Sequence, residues 1–171
     1  MIDPKIHDSS YSWFRLAITL TIAIFANTGM WAVITIMPAL EAEFVTSRAL
    51  TSLPFTFNMI GFAVGNLVIG VIIDRFGITI SIISAALLSG LAYLLSTQAD
   101  SIYFLSIVHL MLGFGCAAGF GPLITDISHW FLRRRGIAVA LTASGNYLAG
   151  AIWPALLSGV LATHGLSLIH I

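Results

Sequence analysis

Charge is what this chain has least of. Asp, Glu, Lys and Arg make up 8% of its 171 residues, where a soluble domain carries about 25%. So little charge cannot keep a whole surface wetted, which excludes a soluble globular domain and makes lipid the solvent. The formal net charge is +0, so no basic surplus is available to hold nucleic acid. Cysteine is almost missing too. Cys116 stands alone inside an apolar run, which rules out an internal disulfide and a cysteine-based metal site, and it reads as a small buried hydrophobe. No Gly-x-Ser-x-Gly elbow occurs and no Asp or Glu falls inside an apolar run, so the usual equipment of an intramembrane enzyme is lacking. No cofactor and no metal is expected.

The charges that are present are spaced. None occurs between Arg15 and Glu41, Arg48 and Asp74, Arg75 and Asp100, or Asp100 and Asp126, and none follows Arg135. A helix needs about 20 apolar residues to cross the hydrocarbon core. A charge at its centre costs at least about 2.5 kcal/mol. Four such gaps and a longer fifth predict five spanning helices near 14–38, 51–73, 78–97, 102–125 and 137–162. The runs do not alternate apolar and polar as barrel strands do, so the fold class is an all-α membrane protein. The opening segment does not read as a signal peptide, because its apolar run is too long and no small-residue cleavage site follows. Residues 1–13 are expected to be a polar cytoplasmic tail.

With the N-terminus inside, Lys5, Arg15, Arg75, Arg133, Arg134 and Arg135 all fall on the inner side and only Arg48 on the outer. That is a strong positive-inside bias. Short links around Asp74-Arg75-Phe76-Gly77 and Gln98-Ala99-Asp100 force neighbouring helices to run antiparallel.

The inner link between helices 2 and 3 reads Gly70-Val71-Ile72-Ile73-Asp74-Arg75-Phe76-Gly77-Ile78-Thr79. A glycine at 70 admits a close neighbour, Asp74 can accept hydrogen bonds at a helix end, and Gly77 permits a tight turn. The segment resembles the signature loop of the major facilitator superfamily, with Ile78-Thr79 where that family has basic residues. Helix 4 carries His109 followed by Gly113, Gly115, Gly119 and Gly121-Pro122. This is similar to the family's Arg-and-glycine pattern with His109 at the arginine's place, and the glycines also suit close helix packing. Trp130-Phe131-Leu132-Arg133-Arg134-Arg135-Gly136-Ile137-Ala138, with Gly145 and Gly150, resembles the monocarboxylate porter and oxalate/formate antiporter branches. Its arginines also set topology.

The resemblance implies a twelve-helix transporter of two six-helix halves, so this chain is expected to be five helices of an incomplete N-terminal half. It implies an inner gate built from Gly70, Asp74, Arg75 and Gly77, with Asp126 at the end of helix 4 pairing Arg75. It implies that helices 1 and 4 line the cavity; Asn27 on helix 1 and His109 on helix 4, with the membrane-depth Asn146 on helix 5, are the candidate cavity or coupling residues. Each Asn can instead bond a neighbouring helix, and His109 can be a neutral interhelical histidine rather than a titrating one. Small-residue packing is expected at Gly113, Gly115, Gly119, Gly145 and Gly150.

The last six residues, Leu166 to Ile171, are what CTG TCT CTT ATA CAC ATC encodes, which resembles a transposase end used in sequencing libraries. Residues 166–171 are therefore expected to be adapter-derived, and the chain a fragment whose C-terminal half is missing. The expected function is secondary transport of a small solute, an organic anion such as a monocarboxylate first, by alternating access in the inner membrane. Protons or a counter-solute would be the coupling partner. The alternative is a small multi-pass protein with a structural or assembly role.

Overall fold

In a computed structural model, residues 7–164 are described, and the segment 166–171 lies outside them. Among the described residues there are eight α-helices: α1 (Ser10–Ala26), α2 (Thr28–Glu43), α3 (Arg48–Thr51), α4 (Leu53–Phe76), α5 (Ile78–Ser96), α6 (Ile102–Cys116), α7 (Gly121–Trp130) and α8 (Arg135–His164). They make five helical stretches long and apolar enough to cross a membrane: Ser10–Glu43, Arg48–Phe76, Ile78–Ser96, Ile102–Trp130 and Arg135–Thr163. These are spans 1 to 5 below. The charge gaps thus mark the spans, whose helices run past the gaps into the flanking polar residues.

Side chains near the ends set the boundaries. Ser9 Oγ accepts from the Ser12 amide and caps α1, and Ser101 Oγ accepts from Phe104 to cap α6, each filling one of the orphan donors of a helix start. Gly77 closes α4 and opens α5 with φ of +83°, a left-handed turn that a side chain would strain.

Three spans are not continuous, which the sequence reading did not anticipate: span 2 is interrupted near its start, at Ser52 between α3 and α4, and spans 1 and 4 are interrupted well inside. Span 1 breaks at Asn27, between α1 and α2. Span 4 breaks at Ala117–Phe120, where a 3-10 turn separates α6 from α7. The break in span 4 has a local cause. Pro122 lies in the first turn of α7, where its missing N–H is harmless, whereas in an unbroken helix it would remove a bond to residue 118.

Spans 2 and 4 lie against each other over most of their length, span 3 packs on span 4, and span 5 on span 1. Spans 2 and 4 meet backbone to backbone. A Cβ on Gly61 would collide with the Leu110 carbonyl, one on Gly113 with the Asn58 carbonyl, and one on Gly65 would stand 2.8 Å from the Phe114 carbonyl oxygen. Without water to drive apolar association, such close contact of small residues is what holds spans together. Large apolar side chains on the outward faces, such as Leu67, Leu87 and Leu156, remain exposed for lipid or further protein.

Candidate functional site

The mid-membrane polar groups are arranged around the breaks in spans 1 and 4. Asn27 is fully buried. Its Nδ2 donates to the Ala23 carbonyl at 2.8 Å and to the Gly119 carbonyl at 3.0 Å. The break in span 1 is thus bonded to the break in span 4. Asn58 of span 2 donates from Nδ2 to the Gly29 carbonyl at 3.0 Å, just beyond the same break. Trp153 of span 5 donates to the Ile24 carbonyl at 3.0 Å. Two neighbouring spans therefore supply donors to carbonyls beside the discontinuity of span 1, and Asn27 itself donates to the carbonyl at the break in span 4, groups that hydrocarbon cannot solvate.

Asn146 accepts the Trp31 indole N–H at 3.1 Å, and a Cβ on Gly150 would stand 2.8 Å from that same indole. Trp31 thus lies in a recess of α8 floored by glycine. His109 is 4% exposed, and its Nδ1 lies 2.8 Å from the Leu105 carbonyl. A carbonyl only accepts, so the proton is assigned to Nδ1. The ring shares a small cavity with Gly29, Ala32 and Ile36 of span 1 and Tyr93 and Ser96 of span 3. Asn27, His109 and Asn146 are therefore all turned into contacts between spans rather than onto an open polar wall. A Cβ on Gly115 would also collide with Ser89 of span 3, one on Gly119 with Ala26, and one on Gly145 would stand 2.7 Å from the Ala23 Cβ.

The end of the bundle that holds Asp126 corrects one expectation. Asp126 pairs with Arg15, not Arg75. Arg15 Nε donates to Oδ2 at 3.1 Å, and Nη2 reaches Oδ1 at 3.1 Å and Oδ2 at 2.9 Å. The guanidinium also lies 4.3 Å from the centre of the Trp130 ring, a face that attracts cations. Span 1 brings Arg15 alongside the end of span 4, whereas Arg75 is exposed at the end of α4 with its guanidinium 5.4 Å from the Phe76 ring. Asp74 and Asp126 share a groove of about 520 Å³ with Asn66, Gly70, Thr125 and His129. No described atom stands within 4 Å of a Cβ built on Gly70 or Gly136.

A second clasp forms just outside the membrane. The Asp8 carboxylate accepts from the backbone N–H groups of Leu132, Arg133 and Arg134 at 3.0–3.1 Å. The Arg133 amide above all, then those of Leu132 and Arg134 with the Arg134 charge, holds the Asp8 carboxyl below its ordinary range against the opposing pull of desolvation. Arg133, Arg134 and Arg135 point outward, and Arg135 also donates to the Ser128 carbonyl. Sequence reasoning missed Asp8, Gly61, Gly65 and Trp153. It used Arg15 only as a topology marker. For the glycines a signal existed, since Gly61-Phe-Ala-Val-Gly65 is the spacing that lets two membrane helices touch.

Broken spans, donors gathered on the broken segments and glycine-lined crossings define a polytopic membrane protein with polar groups at its helix breaks. The chain belongs to the Major Facilitator Superfamily, whose model matches residues 19–169. It is 33% identical over 103 residues to the MFS-type transporter pytF of Aspergillus terreus, covering 60% of this chain and 35% of that protein. It is 37% identical over 92 residues to the MFS-type transporter pynF of Aspergillus niger, covering 53% and 21%. It is 29% identical over 99 residues to the Fujikurins efflux protein of Gibberella fujikuroi, covering 57% and 21%. The matched segments thus span about a fifth to a third of these relatives.

Proposed function

We propose that this chain forms part of a secondary transporter that moves a small organic solute across a cell membrane by alternating access. The observation that carries the reading is the pair of mid-span breaks, bonded to one another, in a chain of this superfamily. The five spans would form one wall of a solute path, closed by partner helices of a longer protein. Gly70, Asp74, Arg75 and Gly77 would supply an inner latch. The groove of about 520 Å³ beside Asp74 and Asp126 supports this, because it leaves a polar recess for a neighbouring helix. Arginines 15, 75 and 133–135 support a cytoplasmic N-terminus.

A monocarboxylate is the first substrate proposed, on the likeness of residues 130–138 to organic-anion porters. A second reading is export of a larger metabolite, supported by the printed name of one relative, the Fujikurins efflux protein. His109 is proposed for proton coupling, as the titratable group well inside span 4. The whole protein in proteoliposomes, given an imposed proton gradient and a panel of labelled monocarboxylates, tests the reading. Saturable uptake lost in Asn27→Ala supports it. Flux equal to that of empty vesicles for every solute in either direction refutes it. His109→Gln should alter the pH dependence of flux, and an unchanged profile removes His109 from coupling.

A further inference from the structure

The inner segments of spans 1 and 4 are tied together at both ends. At the end of the bundle that holds Asp126, Arg15 of α1 grips that residue of α7 through both carboxylate oxygens. At the membrane interior, Asn27 closes α1 and bonds the carbonyl of Gly119, two residues before α7 begins. We propose that α1 and α7 form a single rigid lever, with Asn27 as the positioning residue that straps the two breaks so that spans 1 and 4 bend together.

Several observations carry this. Both amide hydrogens of Asn27 are committed, one to Ala23 on its own helix and one to Gly119 across the gap. Asn27 is fully buried, so no water stands ready to replace a lost bond, and releasing Gly119 would leave a donor and an acceptor unpaired. The backbones are also in close contact. A Cβ on Gly119 would press on Ala26 and stand 3.1 Å from Asn27 Nδ2. The outer segments are held by other partners. Asn58 ties the start of α2 to span 2 through Gly29, and the glycine crossing ties α6 to the same span. The inner pair are therefore strapped to each other and the outer pair to span 2, while span 5 packs along both α1 and α2 as one continuous helix. A rotation at one break must drag the other.

The use of the lever rests on the transporter reading, but its test does not. Spin labels at Ile18 and Ile34 report the bend of span 1, and labels at Ile107 and Thr125 that of span 4. All four positions are exposed, and a rise of 1.5 Å per residue puts the pairs about 24 Å and about 27 Å apart, within reach of pulsed dipolar spectroscopy. In the whole protein in nanodiscs, Asn27→Ala should cost the span 4 pair its single narrow distance peak, although the substitution lies in span 1. Asn27→Gln, which keeps the amide, should restore much of it. Should Asn27→Ala not fold, Gly119→Ala approaches from the other side and should broaden the span 1 pair. A span 4 distance untouched by Asn27→Ala, or, where that variant does not fold, a span 1 distance untouched by Gly119→Ala, overturns the lever. No substrate enters the readout, so a failed flux assay strikes the transporter reading alone and unchanged distances strike the lever alone.

Discussion

Replacing Gly61 by alanine tests the contact on which most of the packing depends. The methyl group would meet the Leu110 carbonyl, a backbone group inside α6 that cannot swing aside. Spans 2 and 4 must separate, by about 1.4 Å, before ordinary contact is restored. A gap of about 0.5–1 Å forfeits a quarter to a half of each contact along the seam. The neighbouring contacts move with it, including Gly65 on Phe114, Gly113 on Asn58 and the Asn58–Gly29 hydrogen bond of 3.0 Å. Overpacking of this kind costs about 1–3 kcal/mol. The better helix propensity of alanine returns up to about 1 kcal/mol, leaving a net loss of up to about 2 kcal/mol. Gly90→Ala is the internal control, because no described atom lies within 4 Å of its added methyl and only the propensity gain remains. Unfolding in mixed detergent micelles, followed by circular dichroism, measures both variants. Gly61→Ala should unfold at a lower mole fraction of denaturing detergent than the parent, and Gly90→Ala at the same or a higher one. Equal midpoints for the two variants would refute the close seam.

Further tests address the two ends and the break. In a double-mutant cycle of Arg15→Met and Asp126→Asn, the coupling energy should be about 0.5–1 kcal/mol, and the swap Arg15→Asp with Asp126→Arg should recover part of the loss. The same cycle between Arg75 and Asp126 should give no coupling. Asp8→Ala should speed hydrogen exchange at the amides of 132–134. Because the folded carboxyl lies below its ordinary value, its contribution is complete above the unfolded pKa. The protection should therefore be lost as pH falls through the depressed folded value and not as pH rises. Trp153→Phe removes the donor to the Ile24 carbonyl and should cost about 0.6–1.7 kcal/mol in the same micelle assay; no loss would mean that carbonyl finds another partner.

The spans were legible because a membrane forbids charge at its centre, and that rule acts on sequence directly. The positions of Glu41, Asp74, Asp100 and Asp126 are enough to count them. The turn at Gly77 was legible for a similar reason, since few residues accept its φ. The breaks were not. Asn27 sits in an apolar run that reads as one helix, and only a carbonyl from residue 119, packed against it in three dimensions, makes a break there tolerable. Pro122 was the one local hint for span 4. The partner of Asp126 was misassigned because two arginines, Arg15 and Arg75, lie at the same end of the bundle as Asp126, and which one is near depends on how span 1 leans on span 4. Trp31 and Asn146 lie 115 residues apart, and no pattern in either helix joins them.

The Asp8 clasp has a consequence for how the protein is made. Asp8 leaves the ribosome 124–126 residues before the amides it will hold. Those amides take up their final geometry only once spans 4 and 5 have been delivered to the bilayer. Until then the carboxylate has nothing to bind, and α1 lacks its tether at the membrane surface. Contacts of such long sequence separation form late, so the early-made end of this chain completes its folding only after the fifth span is in place.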